Sequence, residues 1–320
     1  MDQMISKSVA RPSDELALLE AVAHRLDRYQ RLAQGAFSPN TLRAIKADTA
    51  VFQAWAAETG HSGALPLAGD TVAAFVADMG EDRKPATVSR YVSSLDHLHR
   101  AAELPPVGPT NAVRLALRTL RRDKSTAQKQ AKPMRRAVLE TALADMTNSP
   151  KDLRDAALLS LGYDTLCRSS ELVAIRVQDV TRHPDGSGRL YVARSKTDQE
   201  GAGSWRYIAP DTLARVVAWI EAAGHDEGEP LFLSLGPAAK GGAISARDAL
   251  RIFKARLGVD YSTHSARVGG AKDQLDGGVP IGKLAESGGW KSLTMPLRYG
   301  ADALAGQSGA AMLAQKQGRA

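Results

Sequence analysis

Seven polar residues in the C-terminal half of the chain, Arg168, Glu171, Lys196, His264, Arg267, Trp290 and Tyr299, are the types needed to break a phosphodiester bond without a metal ion. Attack on such a bond raises negative charge on the non-bridging oxygens, and fixed donors must neutralise it. The guanidiniums of Arg168 and Arg267, the imidazole of His264 and the indole N–H of Trp290 suit that role. A phenol such as Tyr299 can hold a covalent phosphoryl group once its proton is drawn away. Lys196 is the natural acid for a departing 5′-oxygen.

Each of these groups also has an ordinary structural explanation. Arg168 and Glu171 lie three residues apart and could form an intrahelical ion pair, worth about 0.2–0.5 kcal/mol at a surface. His264 and Arg267 share a helical face by the same step, and an isolated H-x-x-R pattern is common. Lys196 stands in a turn-rich segment where a solvated lysine is the default, and Trp290 would ordinarily be core.

The order and local sequence of these groups favour the chemical reading. Thr165-Leu166-Cys167-Arg168-Ser169-Ser170-Glu171-Leu172, then Arg194-Ser195-Lys196-Thr197, then His264-Ser265-Ala266-Arg267, and last Gly288-Gly289-Trp290 followed by Tyr299 resemble the motifs of the tyrosine site-specific recombinases, and among them the Cre-like group. The segments 38–60, 87–104 and 111–122 are similar to helices of the N-terminal domain in that group. Cys167 departs from the hydrophobic setting that many relatives have before the first arginine.

The resemblance implies a mainly α fold: a helical core-binding domain plus an α+β catalytic domain with a small antiparallel sheet, closing as a clamp around DNA. It implies Tyr299 as the nucleophile forming a 3′-phosphotyrosyl link, Lys196 on a hairpin, and strand exchange through a four-way junction. The implied partner is double-stranded DNA with an inverted-repeat site, bound by a homotetramer that exchanges C-terminal helices. Thr41, Arg43, Lys46, Thr87, Ser89 and Arg90 on the second and fourth helices are expected at the DNA, with Arg121 and Arg122 nearby and Arg247 and Arg251 approaching from the catalytic side. A type IB topoisomerase-like relaxing activity and a catalytically idle DNA-binding protein are the alternatives; simple binding needs neither Tyr299 nor Lys196. Tyr261, three residues from His264, is the rival nucleophile.

No cofactor is expected. The other histidines, His24, His61, His97, His99, His183 and His225, form no metal-spaced cluster, and no G-x-x-x-x-G-K-[ST] loop appears. The single cysteine, Cys167, excludes an intramolecular disulfide.

Composition agrees with a nucleic-acid partner. The net charge is +7, and the stretch from Arg114 to Arg136 holds Arg114, Arg118, Arg121, Arg122, Lys124, Lys129, Lys132, Arg135 and Arg136 against Asp123 alone. Aromatic residues make up only 5% of the chain, which argues against a base-stacking platform and for groove and phosphate contacts to duplex DNA. No stretch approaches membrane-spanning length and the start lacks signal-peptide order, so a soluble cytoplasmic protein is expected.

At 320 residues, two domains are the better expectation. The boundaries read as 1–123 for the helical domain, 124–135 for a linker without apolar period, and 136–320 for the catalytic domain. Helices are expected from Asp14, as cap, to Leu32; from Ser38 to Gly60 with a stripe of Leu42, Ile45, Phe52 and Trp55; from Asp70 to Met79; and from Pro85 to Glu103. The later part reads as helices at 136–146, 151–162, 244–257, 265–277 and 281–287, a hairpin of 189–195 with 204–208, and a tail helix at 301–315 whose Leu304, Met312 and Leu313 lack local partners.

Overall fold

In the computed structural model, residues 12–124, 130–194, 203–235, 241–301 and 308–319 are described. The chain divides into two units, Met1–Gln128 and Lys129–Ala320.

The first unit is five helices: α1 Pro12–Leu32, α2 Pro39–Thr59, α3 Gly69–Asp82, α4 Pro85–Ala101 and α5 Asn111–Asp123. Start and stop chemistry is clearest in α2. Ser38 accepts from the Thr41 N–H, Pro39 takes the first turn, and Gly60 ends the helix in the left-handed region at φ 71°. The helices enclose Phe52, Trp55, Val72, Phe75, Val88, Tyr91, Val92, Leu95, Val113 and Leu120. The Trp55 indole N–H is satisfied by Asp78 at 2.8 Å. Two expectations need correction. The first helix starts at Pro12, so Asp14 lies within it and is not its cap. Leu42 is 48% exposed, because the buried residues of α2 start only near its middle and run from Asp48 to Ala56. α1 rests on α4 through Val22 and an edge-on contact of Tyr29 with His97.

The second unit is built around α7 Pro150–Thr165, which lies against α9 Pro210–Ala223, α11 Thr263–Asp276 and the strand β3. Nine residues of α7 are buried, which suits a central helix surrounded on several sides. The other elements are α6 Arg136–Ala144, the short α8 Ser169–Leu172, a 3₁₀ turn at Val177–Asp179, α10 Ala246–Leu257, α12 Ile281–Gly288, α13 Thr294–Tyr299 and α14 Gly309–Lys316. Strands β1 Val180–Arg182, β2 Gly188–Val192 and β3 Ser204–Ile208 form an antiparallel sheet in the order β1-β2-β3, with Leu190 opposite both Val180 and Arg206. Strand β1 and helix α9 are absent from the sequence expectations. α9 carries a clear apolar face of Leu213, Val216 and Trp219, begun by Pro210 and ended by Gly224 at φ 65°. Of the expected tail helix only the part from Gly309 is described as helix, and Leu304 lies outside the described residues.

Candidate active site

Four chain segments of the second unit converge on one place: the turn after α7, the start of α11, the turn after α12 and the end of α13. The turn after α7 is unusual. Leu166 caps the helix in the left-handed region, φ 52° and ψ 25°, a conformation that costs a side-chain-bearing residue about 1–2 kcal/mol. It is fully buried among Val268, Ala271, Leu275, Leu284 and Tyr299, and its carbonyl accepts from the Arg267 guanidinium. The strained turn thus aims a backbone acceptor at one arginine and starts the path to the next.

That next arginine, Arg168, precedes α8. Glu171, only 5% exposed, reaches back to the Arg168 N–H at 2.8 Å and to its Nη1 at 2.7 Å. The ion pair considered from the sequence therefore exists, with a buried carboxylate that fixes one face of the guanidinium, while the Arg168 side chain keeps 22% of its surface open. Between them Cys167 is buried, and burial pushes its thiol up to about 11.

Arg267 is 1% exposed. Besides the Leu166 carbonyl it donates to the Gly288 carbonyl at 2.9 Å, and its Cζ stands 4.0 Å over the Trp290 ring. Burial, with Arg168 nearby, lowers its pKa to about 10. Gly288 and Gly289 are dictated by this turn. A Cβ on Gly288 would lie 1.9 Å from the Trp290 ring, and Gly289 sits at φ 61°.

Tyr299, the last residue of α13, is 4% exposed, and its hydroxyl meets the His264 Nε2 at 3.0 Å. Its ring centroid is 5.7 Å from those of both His264 and Trp290. His264 is open to solvent on one side, yet burial of the rest of the ring, then Arg267 and Arg168, lower its pKa. A neutral imidazole with its proton on Nδ1 accepts at Nε2. The fold thus puts the His264 Nε2 within hydrogen-bond reach of the phenol. Tyr261, the rival nucleophile, is buried in the main core cluster, with the Lys132 ammonium 4.7 Å from its ring centroid. Lys196 lies outside the described residues.

One residue of this neighbourhood escaped the sequence reading. Arg206 points inward from β3, 4% exposed, and couples electrostatically to Arg168 and Glu171. The available signal was parity: on a strand, Arg206 shares a face with Ile208.

The expected DNA-contacting residues are less uniform. In the first unit Arg43, Lys46, Arg90, Arg121 and Arg122 are exposed, and Thr87 and Ser89 are half-buried. Arg121 donates to the Ser89 hydroxyl at 3.2 Å, which brings α5 and α4 side chains together. Arg90 is braced at 3.0 Å by Asp48, itself 2% exposed. Thr41 is engaged with the Ser38 cap at 2.9 Å, so its hydroxyl is already used locally. In the second unit Arg247 is exposed, and Arg251 pairs with Asp248 at 2.5 Å. No helix among the described residues is long and apolar enough to cross a membrane.

Comparison with known proteins identifies the family. Residues 132–304 match the phage integrase family. The chain is 31% identical over 238 residues to the Cre recombinase of Escherichia phage P1, covering 67% of this chain and 69% of that protein. It is 34% identical over 206 residues to an integrase/recombinase XerD homolog of Selenomonas ruminantium, covering 60% of this chain and 59% of the relative. Among solved structures, a lambda integrase dimer bound to a core site superposes with TM-score 0.60 at 18% identity, covering 92% of this chain and 82% of that one. The Tn1549 transposon integrase with circular intermediate DNA gives 0.62 at 16% identity, covering 88% and 94%. The chain therefore belongs to the phage integrase family: it is a tyrosine recombinase, an enzyme that breaks and rejoins DNA strands.

Proposed function

We propose that this protein is a site-specific recombinase in which Tyr299 attacks the scissile phosphate. The observation that carries the assignment is the 3.0 Å contact of the Tyr299 hydroxyl with the His264 Nε2, beside two guanidiniums. The phenol oxygen bonds to phosphorus as its proton passes to the neutral His264. The bond from phosphorus to the 5′-bridging oxygen breaks, and Lys196 gives that oxygen its proton, leaving a 3′-phosphotyrosyl link and a 5′-hydroxyl. Arg168, oriented by Glu171, and Arg267 neutralise the non-bridging oxygens, and the Trp290 N–H adds a further donor. The free hydroxyl of a partner strand reverses the step, so the bond energy is kept in the ester and no cofactor enters.

Residues 1–123 and 136–320 act as a DNA-binding and a catalytic domain that clamp duplex DNA, joined by the linker 124–135. Arg114, Arg118 and Arg121 recur along α5 at helical spacing and are exposed, and with Ser89 and Arg90 they offer a basic surface for phosphates. Two inverted repeats held by a tetramer, with exchange through a four-way junction, complete the reading. The exposed Met312 and Leu313 on α14, 59% and 51%, support a tail that docks on a neighbouring subunit. An intracellular protein acting on the nucleoid follows from this role.

The deciding experiment is Tyr299→Phe on a nicked duplex carrying the target site, with Tyr261→Phe beside it. Tyr299→Phe should bind DNA and form no covalent adduct, while Tyr261→Phe forms adduct. Adduct from Tyr299→Phe refutes the assignment.

A further inference from the structure

Arg206 occupies a position that the sheet would give to an apolar side chain. Strand β3 alternates, with Arg206 and Ile208 facing in and Trp205 and Tyr207, 52% and 64% exposed, facing out. Its cross-strand neighbour is Leu190, and its Nε is buried without a hydrogen-bond partner among the described residues. Burial lowers its pKa, partly offset by Cys167 and Glu171. Such a guanidinium bears a desolvation cost and needs a reason to be there.

Its contacts supply one. Nη1 donates to the Glu286 carbonyl at 3.1 Å, near the end of α12. Nη2 lies so close to Gly289 that a Cβ there would be 2.1 Å away. The turn from Glu286 to Trp290 is thus gripped by two buried guanidiniums: Arg206 from the sheet at the Glu286 carbonyl, and Arg267 from α11 at the Gly288 carbonyl, 2.9 Å. Trp290 closes the same turn, its backbone N–H donating to the Ala285 carbonyl at 2.9 Å. Gly289 sits at φ 61° and the indole lies folded against Gly288, so the place of the ring is tied to that of the turn.

We propose that Arg206 is a positioning residue for strand cleavage: held against the 286–290 turn, it fixes the direction in which Trp290 presents its indole N–H. The inference rests on the reading of Trp290 as a phosphate donor. A residue serving the fold alone would be replaceable by an apolar side chain of like volume, since exchanging a buried charge for well-packed hydrophobe is often neutral or stabilising. Arg206→Met should therefore melt no lower than the wild type and bind duplex DNA equally well. Its single-turnover cleavage rate should fall by about 10- to 100-fold, the scale of a misplaced catalytic group. Arg206→Lys, keeping a donor for the Glu286 carbonyl, should fall between.

The decisive comparison is a double-mutant cycle on adduct formation with Trp290→Ala. If Arg206 acts through Trp290, Arg206→Met/Trp290→Ala cleaves no more slowly than Trp290→Ala alone. Losses that multiply, a wild-type rate for Arg206→Met, or unfolding of Arg206→Met and Arg206→Lys alike at the assay temperature would each overturn the proposal. A wild-type rate for Trp290→Ala alone would instead remove the reading of Trp290 on which it stands, a distinguishable outcome.

Discussion

Arg267→Ala removes a chemical group and a structural tie together, and the two losses can be sized separately. The side chain is 1% exposed, donates to the Leu166 and Gly288 carbonyls and lies 4.0 Å over the Trp290 ring. Each buried carbonyl deprived of a charged donor costs about 1.5–3 kcal/mol, and the lost cation–π contact about 1–2 kcal/mol. Against this, the charge no longer has to be held in a dry site; its pKa, lowered to about 10, shows that this burden is real. Relief of a few kcal/mol leaves a net loss of about 3 kcal/mol. For a domain of this size that lowers Tm by about 6–12 °C. Cleavage loses a donor to the developing charge as well, about 3–4 kcal/mol, or 10²–10³-fold in rate. The assay is single-turnover adduct formation on a nicked duplex, well below the lowered Tm, with binding followed by mobility shift. A fall in Tm with cleavage within about tenfold of wild type would make Arg267 a purely structural residue. An unchanged Tm would refute the accounting of its buried contacts. Arg168→Ala is the companion variant: cleavage should suffer as much, and because it leaves the buried Glu171 carboxylate without its guanidinium, Tm should fall as well.

Two further outcomes follow from the same geometry. Because burial, with Arg267 and Arg168 nearby, lowers the pKa of His264 below 6.5, the imidazole is mostly neutral and able to accept the phenol proton at neutral pH. Cleavage at sub-saturating DNA, which reports free-enzyme groups, should decline toward acid pH with its midpoint below 6.5; a decline centred above 6.5 contradicts the assignment. Gly269→Ala should destabilise the second unit by about 3 kcal/mol or more, the upper range for overpacking, because its Cβ would stand 1.9 Å from the Met134 carbonyl oxygen. Thermal melting within a degree or so of wild type would show that the 130–136 segment can lift from α11 at little cost.

Much of the site was legible because its chemistry is written in local motifs. Glu171 three residues after Arg168, and Arg267 three after His264, are spacings that place side chains on one turn whatever surrounds them. Helix ends marked by Ser38, Pro39 and Gly60 are likewise local, since capping depends on φ, ψ and the nearest side chains. Leu42 failed because period alone tells which face is apolar, and not how far along a helix its neighbours reach. Helix α9 and strand β1 escaped notice, and strand β1 is only three residues long, too short for any pattern.

The order of residues supplies the parts: a phenol, an imidazole, two guanidiniums, a lysine and an indole in an arrangement that resembles the tyrosine recombinases. Folding sets which of them meet. Only the folded chain turns the Leu166 carbonyl toward Arg267 by a left-handed kink, sets the His264 Nε2 on Tyr299 rather than Tyr261, and brings Arg206 from the sheet to the turn that carries Trp290. These relations join residues up to 101 positions apart. No local pattern encodes them, because they arise from how α7, α11, α12 and β3 stack, and a contact made across separate elements leaves no spacing to read.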